Sequence, residues 1–283
     1  MSIDDKQWDL TIRPQRKLLA LPLAELWQYR DLTSMFVRRD FVSVYKQTIL
    51  GPLWYLIQPL LTTITFTVIF GNIAKLPTDG LPQFLFYMSG TVIWTYFSTC
   101  LIKTADTFIG NANLFGKVYF PRLAVPVSIL ISNLISFAIQ FAFFLLFMAY
   151  FAWRGSALHP NAWIFFTPVL LLIMAGLGLG FGILISSLTT KYRDLRFLVQ
   201  FGITLLMYAT PVIYPVSSIP AKYQTLIWLN PMTSIIETFR YAFLGAGTAN
   251  WLQLAYSFVF MLAIVAVGAI VFNRVEATFM DTV

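Results

Sequence analysis

The sequence predicts an all-α integral membrane protein: six transmembrane helices, an amphipathic helix ahead of the first, a short amphipathic helix in a cytoplasmic loop, and a re-entrant helical hairpin on the outer side. Three observations carry this reading. Hydrophobic residues make up 58% of the 283 residues and charged residues 11%, where an ordinary soluble domain holds roughly 45–50% and about 25%. Of the 31 formal charges, 19 basic and 12 acidic, 14 fall within the first 46 residues. Beyond them six runs carry no charge, at 47–74, 80–102, 123–153, 155–190, 197–221 and 241–273. Each exceeds the ~20 apolar residues needed to cross about 30 Å of hydrocarbon. The chain thus divides into a tail with its amphipathic helix, 1–46, and a six-span domain, 47–283.

The polar first 46 residues read as a segment inserted by its following spans and not as a cleaved signal peptide. Six spans place both termini on one side, and the basic residues choose it. Eight up to Lys46, then Lys103, Lys117, Arg122, Lys191, Arg193, Arg196 and Arg274, fall on the terminal side, against Lys75, Arg154, Lys222 and Arg240 opposite. Both termini are therefore expected in the cytoplasm. Within the tail, Pro22 and Glu25 suit a helix start. Asp31 is placed to cap a second helix on which Leu32, Met35 and Phe36 share a side, followed by the polar block Arg38, Arg39 and Asp40. Such a helix lies along the inner membrane surface, anchored by Trp27, Tyr29, Tyr45 and Lys46. A plain membrane anchor fits the same spacing.

The first span opens with Trp54, Tyr55 and Gln58 and continues through Thr62, Thr63, Thr65 and Thr67; the second carries Tyr87, Trp94, Tyr96 and a lone Cys100. A single cysteine forms no internal disulfide and reads as packing. In the next loop, about 104–120, Ala105, Phe108, Ala112 and Phe115 form an apolar stripe, with Asp106, Asn111, Asn113 and Lys117 elsewhere on the turn. That helix, ended by Pro121, suits lipid headgroups or a groove on a soluble partner. Pro126, His159-Pro160 and Pro168 trim the third and fourth spans. Gly176, Gly178, Gly180 and Gly182 give two small-xxx-small faces within the fourth. On the fifth, Gln200, Thr204 and Tyr208 stack at i, i+4 and i+8, and Pro211, Tyr214 and Pro215 close its outer end. Residues 223–247 are apolar but broken by Asn230-Pro231, Glu237, Arg240, Gly245 and Gly247, each half too short to cross, so a hairpin dipping into the bilayer is expected. Glu237 and Arg240, three apart, are positioned to pair there; an outer loop with a surface ion pair is the plainer alternative.

The spans hold no ionisable residue at their centres, which removes the usual equipment of ion-coupled transport and membrane enzymology. His159 stands alone beside a proline, Asp4-Asp5 is the one tight acid pair, and no metal site can be assembled. Gly116-Lys117 precedes Val118 and lacks the upstream glycine of a phosphate loop, so nucleotide chemistry must come from another chain. The basic residues are scattered between apolar runs, which points to a membrane surface and away from nucleic acid. What the spans offer is aromatic and uncharged polar surface: Trp54, Tyr55, Gln58, Tyr87, Trp94, Tyr96, Gln200, Thr204, Tyr208 and Tyr214. Rings stack on sugar faces, and amides and hydroxyls bond sugar hydroxyls. Interfacial belts and helix packing account for any of these aromatics taken singly.

Arg38-Arg39-Asp40, Tyr45-Lys46, Gly51-Pro52-Leu53-Trp54, Gln58-Pro59, Asn113-Leu114, Lys117-Val118-Tyr119-Phe120-Pro121, Tyr192-Arg193-Asp194, Pro211 with Tyr214-Pro215, and Asn230-Pro231-Met232 occur in this order. As a set they resemble type-2 ABC exporter permeases, above all the polysaccharide branch that exports O-antigen, capsule or teichoic acid chains. The resemblance implies a homodimer in the bacterial inner membrane, a path at the two-fold interface, and two separate ABC ATPase subunits holding ATP and Mg²⁺, with no cofactor in this chain. It makes Phe108, Asn111, Phe115 and Lys117 the coupling helix toward the ATPase, the helix ending at Arg38 and Arg39 the interface helix, and the segment around Asn230-Pro231 outer gate helices. The cargo it implies is an undecaprenyl-diphosphate-linked glycan, whose diphosphate Arg38, Arg39 and Lys46 would meet; positive-inside topology alone also explains those three. Export of another lipid or a drug, an ATPase-independent channel or scramblase, and a glycan-processing enzyme are the competing readings, the last disfavoured by the missing acid or histidine constellation.

Overall fold

A computed structural model describes residues 23–46, 48–115, 117, 120–190, 192 and 194–282. The first 22 residues, with Asp4-Asp5 and Pro22, lie outside the described residues, as do Gly116, Val118, Tyr119, Lys191, Arg193 and the side chains of Glu25, Tyr45 and Asn113. Among the described residues every regular element is helical. Two helices, α1 (Leu23–Gln28) and α2 (Arg30–Tyr45), precede α3 (Trp54–Phe66), which widens into a π-helical stretch over Thr67–Ile73. Then come α4 (Gln83–Ala105), the short α5 (Thr107–Gly110) and α6 (Ala112–Phe115), α7 (Ala124–Trp153), α8 (Thr167–Thr189), α9 (Leu195–Ala209), α10 (Ala221–Trp228), α11 (Pro231–Leu244) and α12 (Trp251–Thr282).

Five stretches are long and apolar enough to cross a membrane: Trp54–Ile73, Gln83–Ala105, Ala124–Trp153, Ala162–Thr189 and Trp251–Val275. The fifth expected span, 197–221, departs from the sequence reading. Its helix α9 has 15 residues, a rise of about 22 Å. Pro211 disfavours helical backbone at the residue before it, and Thr210 is accordingly extended, at ψ 145°. Freedom from charge set the length of the run; proline set the length of the helix.

The centre of the bundle is α4, enclosed by α3, α7 and α8, and its span is far more buried than the others. The glycines of α8 make that enclosure possible. A Cβ at Gly178 would stand 2.8 Å from Cys100 Cβ of α4, and one at Gly182 would strike Thr104. On the opposite face a Cβ at Gly180 would stand 2.8 Å from the Val265 backbone nitrogen of α12. The two small-residue faces thus seat α8 against α4 and α12, as their spacing predicts.

At one end of the bundle Phe36 of α2, Phe108, Phe115, Phe120 and Phe272 of α12 form a second apolar cluster. Leu32 and Phe36 turn toward it, whereas Met35 is exposed; Asp31 sits in the first turn of α2, and the capping position is Tyr29. The expected single helix over 104–120 is instead α5 and α6, divided at Asn111, whose side-chain Nδ2 donates to the Thr107 carbonyl at 3.0 Å and so competes with helix continuation. At the other end, the Asn230 side chain caps α11 by accepting from Met232 N at 3.0 Å, Pro231 fills its first turn, and Gly245 closes it in the left-handed region. Neither α10 nor α11 is long enough to span, and α11 is buried almost throughout.

Candidate functional site

A cleft of ≈ 260 Å³ opens between α3, α4 and α7. Trp54, Tyr55, Gln58 and Thr62 come from α3, Thr95, Tyr96, Thr99 and Lys103 from α4, and Asn133, Ser136 and Gln140 from α7. Helical periodicity builds it: Gln58 and Thr62, Thr95, Thr99 and Lys103, and Asn133, Ser136 and Gln140 each recur every three or four residues and share one face of their helix. Lys103 stands at the end of the cleft nearer α2 and α5, and its Nζ donates to Asn133 Oδ1 at 3.2 Å. Deeper in, the buried Ser136 Oγ and Gln140 Oε1, with Ser132 Oγ beside them on α7, have no hydrogen-bond partner among the described residues. The Tyr96 hydroxyl and the Asn133 amide nitrogen have only the thiol of Cys100 beside them, a weak partner. Each unsatisfied polar group in a membrane costs several kcal/mol. The cleft is therefore built for water or for a polar ligand.

The residues expected to line one path fall in three places. Trp54, Tyr55, Gln58 and Tyr96 meet in the cleft. Tyr87 and Trp94 do not: they are 0% and 5% exposed, packed in the core against Phe66 and Phe86, and against Phe97. Their helix is surrounded on nearly every side, so aromatic residues on any of its faces become packing. Gln200, Thr204 and Tyr208 lie on the open face of α9, where only Ile203 is buried. The half-buried Tyr214 donates its hydroxyl to the Tyr208 carbonyl at 3.0 Å. Gln200 also lines a second cavity, ≈ 280 Å³, with Lys103, Asp106 and Arg196, the last two ion-paired at 3.0 Å.

Of the basic residues singled out on the tail, Arg38 and Lys46 are exposed. Arg39 is committed: Nε and Nη2 donate to Asp40 Oδ1 at 2.9 and 2.8 Å, and the guanidinium lies 4.9 Å from the Phe36 ring centroid. In the α5–α6 loop the structure corrects the expected docking face. Phe108 and Phe115 are 0% and 4% exposed, with Phe108 stacked on Phe272 at 4.7 Å, so the apolar stripe faces the chain's own core. A stripe with three rings, Phe36, Phe120 and Phe272, available to receive it buries itself at home. Lys117 is exposed and Asn111 half-buried.

At the opposite end, Glu237 and Arg240 pair at 3.7 Å, as their three-residue step allows, and both are almost fully buried, which excludes the surface ion pair. Arg240 donates through Nη1 to the Pro211 carbonyl at 2.6 Å, through Nη2 to Val212 at 2.7 Å and through Nε to Ser89 Oγ at 3.2 Å, with its carbon 3.7 Å from the Phe86 ring centroid. This arginine binds α11 to α4 and to the turn after α9. Sequence reasoning missed the α7 side of the cleft. Its signal was present in Ser132, Ser136 and Gln140 at i, i+4 and i+8, but a search for charges at membrane depth passes over uncharged amides and hydroxyls.

Long apolar helices packed around a polar cleft, with Lys103 at one end, mark a multi-pass membrane protein. The chain belongs to the ABC-2 type transporter family, which it matches over residues 32–244. It is 27% identical over 252 residues to the O-antigen export system permease protein RfbA of Klebsiella pneumoniae, covering 89% of this chain and 94% of that one. To the protein of the same name from Myxococcus xanthus it is 30% identical over 223 residues, 77% of this chain and 82% of the other. To the polysialic acid transport protein KpsM of Escherichia coli it is 22% identical over 250 residues, 86% and 93%.

Proposed function

We propose that this chain is the membrane-spanning subunit of an ATP-driven exporter that carries a lipid-linked polysaccharide of the O-antigen kind from the cytoplasmic to the outer face of the bacterial inner membrane. The observation that carries the reading is the surface of α3. Trp54, Gln58 and Thr62 line both the polar cleft and a groove of ≈ 410 Å³ shared with Leu61, Thr65 and Phe66, an uncharged mixture of rings, amides and hydroxyls. That chemistry suits sugar, and the names of the relatives point the same way.

In this reading two copies pair about a two-fold axis that brings α3 and the bare face of α9, with Gln200, Thr204 and Tyr208, to the path between them. Helix α9 is the fifth of six spans, completed by the turn at 210–215, and α10 with α11 is the outer hairpin. The basic residues around α2, α5 and the start of α9 face the cytoplasm, as do both termini. ATP and Mg²⁺ are held by two separate ATPase chains that dock beneath the α5–α6 loop, touching Asn111 and Lys117 while Phe108 and Phe115 brace the loop from behind. Arg38 and Lys46 remain open to a lipid diphosphate, with Arg39 released from Asp40 when the headgroup arrives.

The test is reconstitution in proteoliposomes with the partner ATPase and a lipid-linked polysaccharide. Translocation is expected to need ATP and both chains. An equal rate without the ATPase would make the chain a scramblase and overturn the proposal.

A further inference from the structure

We propose that the cleft between α3, α4 and α7 is a headgroup site for a phosphate-bearing lipid, with Lys103 taking the phosphate and the Ser136–Gln140 end taking the hydroxyls of whatever the phosphate carries. The inference deepens the exporter reading and rests on it for the direction of loading. Three observations meet here. Among the described residues Lys103 is the only cation lining the cleft, and its bond is to a neutral amide, Asn133, at 3.2 Å. Asp40, whose charge reaches it, is bonded to Arg39. A lysine held by an amide and without an ion pair among the described residues keeps donors for an anion.

From Asn133 to Gln140 the face of α7 rises about 10 Å and presents buried polar atoms, Ser136 Oγ and Gln140 Oε1, that nothing among the described residues satisfies. Their amide and hydroxyl chemistry matches hydroxyl groups better than a second charge, which the deep end has no cation to meet. The third observation separates a lipid from a free anion. The cleft runs on through Trp54, Gln58 and Thr62 into the groove along α3, where Leu61 is 57% exposed. An amphiphile can set its head among the polar groups and leave its chain against that apolar wall; inorganic phosphate would use neither the groove nor the deep end.

The test measures binding of radiolabelled undecaprenyl phosphate to the full-length protein purified with its ATPase, alongside undecaprenol and inorganic phosphate as competitors. Lys103→Met is expected to weaken binding of the phosphate lipid about tenfold or more, the worth of a charge-assisted hydrogen bond, and Lys103→Arg to retain most of it. Gln140→Leu should leave undecaprenyl phosphate unaffected while weakening undecaprenyl-diphosphate-linked N-acetylglucosamine severalfold. Undecaprenol is expected to bind wild type about tenfold more weakly than its phosphate, a comparison that needs no variant to fold. Equal binding of the two lipids, no loss in Lys103→Met, or displacement by millimolar inorganic phosphate would each overturn the site. Absence of ATP-dependent export by the wild-type complex, with lipid binding intact, would count against the exporter reading alone, whereas export and lipid binding both indifferent to Lys103 would sink the site alone.

Discussion

Two regions bury polar groups in this membrane protein and treat them in opposite ways. Around Arg240 the guanidinium is matched by three backbone carbonyls, a serine hydroxyl, a carboxylate and a ring face, and almost nothing of it reaches solvent. In the cleft, Ser136 and Gln140 are also buried, though less completely, and their Oγ and Oε1 meet no partner among the described residues. A charge sealed with its complement holds helices together; neutral groups sealed without one are waiting for something to arrive. Hydroxyls without a partner among the described residues also occur in packed core, at Tyr87, Thr104, Thr107 and Thr238, so what sets the cleft apart is that its unpartnered groups line an opening.

The contrast can be broken most forcefully at the arginine. Arg240→Met leaves Glu237 buried beside an apolar chain and removes the donor to three backbone carbonyls, a loss of about 3–5 kcal/mol. A large fall in melting temperature in detergent checks it, and an unchanged midpoint would mean that the knot is ornamental. Next comes Gly90, where an added Cβ would stand 2.8 Å from the Val212 carbonyl and 2.9 Å from Arg240 Nη2. Gly90→Ala is expected to cost about 1–3 kcal/mol by overpacking, readable in the same melt. In the cleft the sign reverses. Gln140→Leu removes a polar atom that has no partner, so stability should hold or rise by up to about 1 kcal/mol, while export of lipid-linked polysaccharide falls severalfold. Smallest is Ser136→Ala, with stability within about 0.5 kcal/mol of wild type and a modest decrease in export rate.

Much of this was legible in the sequence, for identifiable reasons. Absence of charge marks apolar runs, and glycines four apart mark close helix contacts, because both follow from local spacing; the seating of α8 by Gly178 and Gly182 against α4, and by Gly176 and Gly180 against α12, bears that out. The Glu237–Arg240 pair was readable from its three-residue step. What spacing cannot supply is which neighbour a face meets. Tyr87 and Trp94 read as path residues because α4 is aromatic on several faces, and only the packing of α3, α7 and α8 around it shows them to be core. Phe108 and Phe115 form the expected stripe yet turn inward, since Phe36 and Phe272, distant in sequence, offer the better surface. The α7 side of the cleft stayed hidden because its polar residues are neutral, and their significance lies in the partners they lack.

The account stands or falls on whether the cleft admits water. Thr99→Cys, in a Cys100→Ala background, places a thiol on its half-buried wall. In oriented membrane vesicles a charged, membrane-impermeant maleimide should label that cysteine from the face carrying α2, and bound undecaprenyl phosphate should slow the reaction. A cysteine there that stays unlabelled in folded protein, while one at exposed Lys117 reacts, would contradict the central claim.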